Sequence, residues 1–293
     1  MNFKKVIKIL NTRKSFLIAS HINPDCDALG CQLALARVLR AKGKKVYLIA
    51  DSVIPPAYNF LPDVDKIKTN ISSFKGSFEA VLILDCPGIL RIGKVSDLIK
   101  NHLIVTIDHH PGKCHPPVNL CLKDPKSAST AEILYRLFKE MKVKIDKKTA
   151  LLLYAGIATD TGFYKYPNTT PEVHKISAEL IELGVRPWQV ASRLYESESL
   201  KRLRLLGLSL KTLKLHCRGK AAVMKVLNNM YEQTGAGPEH TDEFVNYPKS
   251  IKGVELGILL RHDKQKGIIK ASFRSKSVIN VNKLAGIFKG GGH

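Results

Sequence analysis

FLIASHINPDCDALG, residues 16–30, decides how this chain is read. Its first five residues are a short, largely apolar run of the length and composition of a buried strand. The run passes directly into His21, Asp25 and Asp27, and from there into a helical period over residues 28–41. A strand that stops at polar side chains and hands over to a helix is the opening of a βαβ unit. Ligands of an open parallel sheet bind outside the carboxyl ends of its strands. The three side chains after the run are therefore the first candidates for a site.

The same pattern repeats downstream. KVYLIA (45–50), EAVLIL (79–84) and LIVTI (103–107) read as further strands, and helices fit residues 129–141 and 147–158, the first opening with the capping-box spacing of Ser129 and Glu132. The predicted fold class is α/β, with a parallel-sheet domain and crossover helices over residues 1–186. Residues 170–215 read as all helical, with Pro171 and Pro187 suited to first helical turns, and 187–214 is expected to be a helical connector. AAVMKV, GVELGILL and IIKASF, with a short helix near 281–288, predict a smaller mixed-sheet α/β domain over 215–293. No internal repeat or low-complexity tract is present.

Composition bounds the function. The 293 residues include 47 Lys and Arg against 25 Asp and Glu, a formal charge of +22, and 44% are hydrophobic. That is enough apolar material for a core, which excludes a disordered basic tail. No apolar run approaches the ~18 residues of a membrane span, and MNFKKVIKIL carries no export-type cleavage site. A cytoplasmic protein without membrane contact is expected. The six cysteines form no CxxC pair, so reduced thiols are expected and a structural zinc site is disfavoured. The positive charge, denser in the connector and second domain, points to polyanionic partners.

The chemistry lies at the strand ends. EAVLIL runs into Asp85, LIVTI runs into Asp108, His109 and His110, and Asp160 sits in GIATDTGFY just past a helix. Carboxylates gathered at one place repel one another and resist burial unless cations neutralise them. Five aspartates and two or three histidines exceed the needs of one ion and suit two that share a carboxylate. Mixed oxygen and imidazole donors favour Mn²⁺ or a similar ion over Mg²⁺ alone. Two ions about 3.5–4 Å apart are the usual apparatus of phosphate-ester hydrolysis. Asp108 is either a ligand or the group that orients a ligand histidine. Cys26 and Cys86 adjoin the site as bystanders. In the second domain Arg274, Ser275 and Lys276 follow a strand, and Gly290, Gly291, Gly292 and His293 close the chain; an arginine and converging backbone N–H groups suit an anion.

HINPDCDALG, the aspartate of LILDCP, IDHHPGK and GIATDTGFY resemble the four signature motifs of the DHH phosphoesterase superfamily. EFVNYPKSIKGVELGILLR, FRSK and GGGH resemble its associated C-terminal substrate-binding domain. The combination is similar to the stand-alone nanoRNase/pAp phosphatase branch. This resemblance implies hydrolysis of very short oligoribonucleotides (nanoRNA) to mononucleotides, and of adenosine 3′,5′-bisphosphate (pAp) to AMP, by water activated between two divalent ions. It implies that His21, Asp25 and Asp85 hold one ion, and that Asp27, Asp85, His109 and Asp160 hold the other. His110, with Asp108, would serve the scissile phosphate, while Arg274, Ser275 and His293 would clamp the far end of the substrate. It also implies a homodimer. Cys26 and Cys31 depart from the small residues usual in the family. In that family GGGH is followed by further residues, so the second domain is expected to be truncated. Alternatives are a RecJ-like single-strand exonuclease, a phosphodiesterase for cyclic or linear dinucleotides, and a catalytically silent nucleotide- or RNA-binding module.

Overall fold

Five strands form the sheet of the first unit in this computed structural model, which describes residues 3–115, 117–196, 198–263, 267–276, 279–288 and 290. They are β1 Ser15–Ala19, β2 Lys45–Leu48, β3 Ala80–Leu84, β4 Leu103–Asp108 and β5 Leu120–Lys123. All pairings are parallel, in the order β2–β1–β3–β4–β5. The chain turns outward from β1 in one direction to β2 and in the other to β3. The crevice that such a reversal opens at the carboxyl ends lies between β1 and β3, where the strands release His21 and Asp85.

Helix α1 Lys4–Thr12 precedes the sheet, α2 Cys26–Ala41 crosses from β1 to β2, and the short α3 Val95–Leu98 lies between β3 and β4. After β5 come α4 Thr130–Glu140, α5 Lys147–Asp160, α6 Pro171–Glu182 and α7 Pro187–Tyr195. All five residues of β3 are buried, as expected for a central strand covered on both faces. Helix α2 is buried almost all round, and α5 lies close against it: a Cβ on Gly30 would stand 2.6 Å from the Leu152 carbonyl oxygen. Among the described residues of the first unit, side-chain caps start four helices, with Asp25, Ser129, Asp146 and Thr170 each accepting a backbone N–H of the first turn. The Glu132 carboxylate reaches back to the N–H of Ala128 instead of that of Ser129, a variant of the expected capping box.

The second unit holds α8 Leu200–Leu210, β6 Lys214–His216, β7 Ala221–Val226, α9 Asn228–Thr234, α10 Asn246–Ser250, β8 Leu256–Asp263, β9 Ile268–Ser275 and α11 Val281–Ile287. Its sheet, β6–β7–β8–β9, is parallel only between β7 and β8. It packs a separate core that includes Leu205, Met224, Val226, Phe244 and Leu259. The mixed α/β architecture is as the sequence predicts.

The chain divides into two units between Glu196 and Ser197, within the expected helical connector 187–214. Helix α7 buries Val190 in the first core, and α8 buries Leu205 and Leu206 in the second; each apolar face belongs to its own unit. One expectation needs correction, that of reduced cysteines: the thiols are not all free. Cys114 and Cys121 are bridged, with Cα atoms 6.4 Å apart, because β5 folds back along β4 and returns Cys121 to the loop that carries Cys114. That proximity is ordinary for a disulfide. Cys26, Cys31, Cys86 and Cys217 are unbridged. Among the described residues no helix is long and apolar enough to cross a membrane. Gly291, Gly292 and His293, three of the expected substrate-binding residues, lie outside the described residues.

Candidate metal centre

The strand ends deliver the predicted side chains to one place in the first unit. His21 follows β1, Asp25 caps α2, Asp27 lies in its first turn, Asp85 follows β3, and His109 and His110 follow β4. Asp160 is the last residue of α5, not a loop residue beyond it. Donor atoms of His21, Asp25 and Asp85 all lie within 4.8 Å of one another, as do those of Asp27, His109 and Asp160. Asp85, His109 and His110 form a third, overlapping group.

Asp85 joins these groups. Its Oδ2 lies 3.5 Å from His21 Nε2, and its Oδ1 lies 3.5 Å from His109 Nε2, so its two oxygens face different histidines. Asp85 adopts a left-handed backbone, φ 55°, a conformation that aspartate tolerates better than most residues and that is concentrated at functional sites. Thr130 Oγ1 donates to Asp85 Oδ1 at 2.9 Å. His21 Nδ1 lies 2.8 Å from the Ile22 carbonyl oxygen; a carbonyl only accepts, so Nδ1 carries a proton and Nε2 is the nitrogen turned toward Asp85. His109 Nε2 stands 3.2 Å from Asp160 Oδ2, and a hydrogen bond to the Ser127 backbone steadies the ring.

Asp27 is held by a helix end. The first N–H groups of α4, from Thr130 and Ala131, donate to its two oxygens at 2.7 and 3.0 Å, the arrangement by which helix N-termini favour anions. Cys31 Sγ lies 3.4 Å away. Gly156 makes room from the other side, since a Cβ there would fall 2.5 Å from Asp27 Oδ1.

The charges in this cluster are out of balance. Burial, followed by repulsion from neighbouring acids, pushes the carboxyls of Asp27 and Asp160 well above their ordinary range. Asp25 is raised for the same reasons, but its side chain is 52% exposed, so solvent screens it most. Burial also opposes the charge on Asp85, yet the hydrogen bond from His21 and the fields of His109 and His110 hold it at about 2. Burial lowers His109. Imidazole nitrogens and crowded carboxylate oxygens are the donor set of a divalent transition-type ion, and Asp85, a member of the first group, also faces His109 of the second. Cys86, whose thiol burial pushes up to about 11, is no nucleophile at neutral pH. Cys26 and Cys31 are likewise pushed up by burial.

Asp108 stands apart from the donor groups. It is fully buried, and its Oδ1 accepts from His110 Nδ1 at 2.7 Å while Oδ2 lies 2.9 Å from Lys123 Nζ. Burial disfavours a charged His110, but Asp108 and Asp85 outweigh that and raise it, with the positive charge of Arg91 acting the other way. Thr130, Gly156, Lys123 and Arg91 are absent from the sequence-level site. Thr130 follows the recognised cap Ser129 and Gly156 lies inside GIATDTGFY, so both carry a readable signal; Lys123 and Arg91 carry none.

Within the second unit Arg274 is an exposed residue of β9, opposite Gly257. The Ser275 hydroxyl donates to the Ile279 carbonyl at 2.7 Å, and Lys276 Nζ donates to the Ile251 carbonyl at 2.9 Å. Gly290 donates its N–H to the Ala285 carbonyl at 2.9 Å. Among the described residues the Arg274 guanidinium is thus the member of this group not engaged within the chain.

The profile of the DHH family, N-terminal domain, matches residues 15–157, and that of the DHHA1 domain matches residues 219–293. The bifunctional oligoribonuclease and PAP phosphatase NrnA of Thermus thermophilus is 32% identical over 94% of this chain and 81% of its own length. The chain belongs to the DHH family. A second relative of this DHH protein, the NrnA of Bacillus subtilis that bears the same description, is 27% identical over 99% of the chain and 90% of its own length. The crystal structure of an exopolyphosphatase-related protein from Bacteroides fragilis matches the DHH chain with a TM-score of 0.94 at 28% identity, covering 99% of one and 88% of the other. The predicted family and the α/β fold with its second mixed sheet are both met.

Proposed function

We propose that this DHH protein is a metal-dependent phosphodiesterase and phosphatase that hydrolyses very short oligoribonucleotides to mononucleotides and pAp to AMP. One observation carries the reading: two donor groups, His21–Asp25–Asp85 and Asp27–His109–Asp160, are joined through the two oxygens of Asp85. In this reading Asp85 serves both groups, and the preferred ions are Mn²⁺. When bound, a pair of such ions supplies activated water at neutral pH and neutralises charge on the phosphate. The NrnA relatives, described as oligoribonuclease and PAP phosphatase, support the substrate class.

The chain's own residues divide the remaining work. Thr130 and Ala131 keep the Asp27 carboxylate in place, and Thr130 does the same for Asp85. His21 and His109 are oriented through backbone partners. His110, held at Nδ1 by Asp108, gives a proton to the leaving oxygen from Nε2. Arg274 binds a substrate phosphate, with Ser275, Lys276, Gly290 and the terminal Gly291, Gly292 and His293 as the rest of that clamp. A cytoplasmic homodimer without membrane contact is the working form in this reading.

A product profile tests it. With Mn²⁺ present, pAp should yield AMP, and RNAs of increasing length should yield mononucleotides fastest at the shortest lengths. Progressive digestion of long strands would instead make the protein a RecJ-like exonuclease. Binding without release of mononucleotide or phosphate would make it a silent module. Asp85→Ala supplies the inactive control.

A further inference from the structure

Lys123 ends β5, directly opposite Asp108 in the parallel β4–β5 register. A lysine at the end of a short edge strand is expected to reach solvent, yet this side chain is 10% exposed and its ammonium lies 2.9 Å from a fully buried carboxylate. The approach is that of an ion pair and not of an aligned hydrogen bond. Neither Asp108 Oδ2 nor Lys123 Nζ has a hydrogen-bond partner among the described residues. Stability alone is a weak reason for such a pair, because desolvating two charges offsets much of their attraction and apolar replacements are often as stable. What the pair does accomplish is geometric. With Oδ2 facing the lysine, Oδ1 is turned to His110, where it accepts both the ring Nδ1–H at 2.7 Å and the backbone N–H at 3.3 Å.

We propose that Lys123 is a positioning residue for His110: paired at Asp108 Oδ2, it locks the carboxylate so that Oδ1 keeps a proton on Nδ1 and turns Nε2, which carries the proton to be given, toward the reacting phosphate. The assignment rests on the reading of His110 as proton donor given above. Among the described residues Lys123 belongs to none of the donor groups. Without it the Asp108 carboxylate carries a bare buried oxygen and can rotate, and the ring loses its fixed acceptor.

The test compares Lys123→Met and Lys123→Arg in the full chain. In long-range proton–nitrogen spectra of metal-free, nitrogen-15-histidine-labelled protein, the parent should show His110 with Nδ1 persistently protonated, in the doubly protonated ring that donates from Nε2 and in the neutral ring alike. Lys123→Met should show mixed tautomers, and Lys123→Arg should restore the parent pattern. In steady-state assays with Mn²⁺ and pAp, Lys123→Met should lower kcat by about 10–100-fold with KM and Mn²⁺ affinity unchanged, and Lys123→Arg should recover most of the loss. A parent-like kcat in Lys123→Met, or a lowered kcat with the tautomer intact, overturns the proposal. If Lys123→Met does not fold, Lys123→Gln takes its place; a mixed tautomer with lowered kcat supports the proposal, and a parent-like result overturns it. If the parent itself releases no product, the functional reading fails, while the metal-free spectra still decide the role of Lys123.

Discussion

Two groups of acids in the first unit use the same residue type and settle in opposite ways. Around Arg37, on α2, the carboxylates of Asp63 and Asp146 lie 2.5 and 2.6 Å from guanidinium nitrogens, and Lys66 Nζ lies 2.6 Å from Asp63. Lys66 and Arg37 hold Asp63 below the usual carboxylate range; at Asp146 burial works against the charge, but hydrogen bonds from Thr149 and Arg37 prevail. Around Asp85 the acids meet histidines, helix N–H groups and each other, and Asp27 and Asp160 are driven upward. A chain that can neutralise its acids internally, as at Arg37, and does not do so at Asp27 and Asp160 leaves room for cations from solution. The contrast, more than any one side chain, marks this cluster as the candidate metal centre.

The largest effect should follow from removing Asp85, the acid whose oxygens face histidines of both donor groups. Asp85→Asn is expected to lower kcat/KM by more than about 10³-fold, since two-ion stabilisation of the transition state is worth several kcal/mol and each 1.36 kcal/mol is tenfold. Mn²⁺ at about 100 times its dissociation constant should stabilise the parent by about 2.7 kcal/mol, and thermal melts should show that gain lost in Asp85→Asn. A variant that remains active and is still stabilised by Mn²⁺ would break the contrast. Gly156→Ala is a finer probe of the same cluster. Its Cβ would press on Asp27 Oδ1 at 2.5 Å and on Ala131 Cβ at 3.0 Å, so a loss of about 1–3 kcal/mol is expected on overpacking grounds, with weakened Mn²⁺ binding. A Cβ added at Gly207, inside α8, would meet nothing within 4 Å, and Gly207→Ala should be neutral or stabilising by up to about 1 kcal/mol. Denaturant melts of the two variants decide whether Gly156 acts through space or through helix propensity.

Much of this centre is legible in the sequence because burial and charge change abruptly at strand ends. Apolar runs stop at His21, Asp85 and Asp108, and a strand fixes the direction in which the next residue points, so convergence of the three loops follows. Asp160 is legible as a member but not as a helix terminus, since nothing in GIATDTGFY marks the final turn of α5. Strand β5 escapes a reading by pattern because only Leu122 of its four residues is buried, and with it go both Lys123, which reads as an ordinary surface lysine, and the Cys114–Cys121 bridge. Helices α7 and α8 follow one another in a stretch that reads as continuously helical, so their division between two cores depends on tertiary packing. The role of Thr130 depends on which anion α4 points toward, a fact fixed by three elements distant in sequence.

The smallest effect sharpens the comparison from the other side. Arg37→Met removes the cation between Asp63 and Asp146, but half-exposed Asp146 leaves the pair well screened, and a stability loss of about 1 kcal/mol is expected, with pAp hydrolysis unchanged. The pH dependence separates the two acid groups by sign. Asp63 and Asp146 have folded-state values below the unfolded ones, so their stabilisation is present above about pH 4 and is lost as pH falls through the lowered values. Asp27 and Asp160 have folded-state values above the unfolded ones. In chelated protein they hold protons that the unfolded chain has released, so stability declines as pH rises from the ordinary carboxylate value through the raised ones. Melting temperature against pH, measured without metal, should therefore have a shallower acid-side slope in Arg37→Met and a shallower opposite slope in Asp27→Asn. If both variants flatten the same limb, the two groups of acids do not differ in the way their partners indicate.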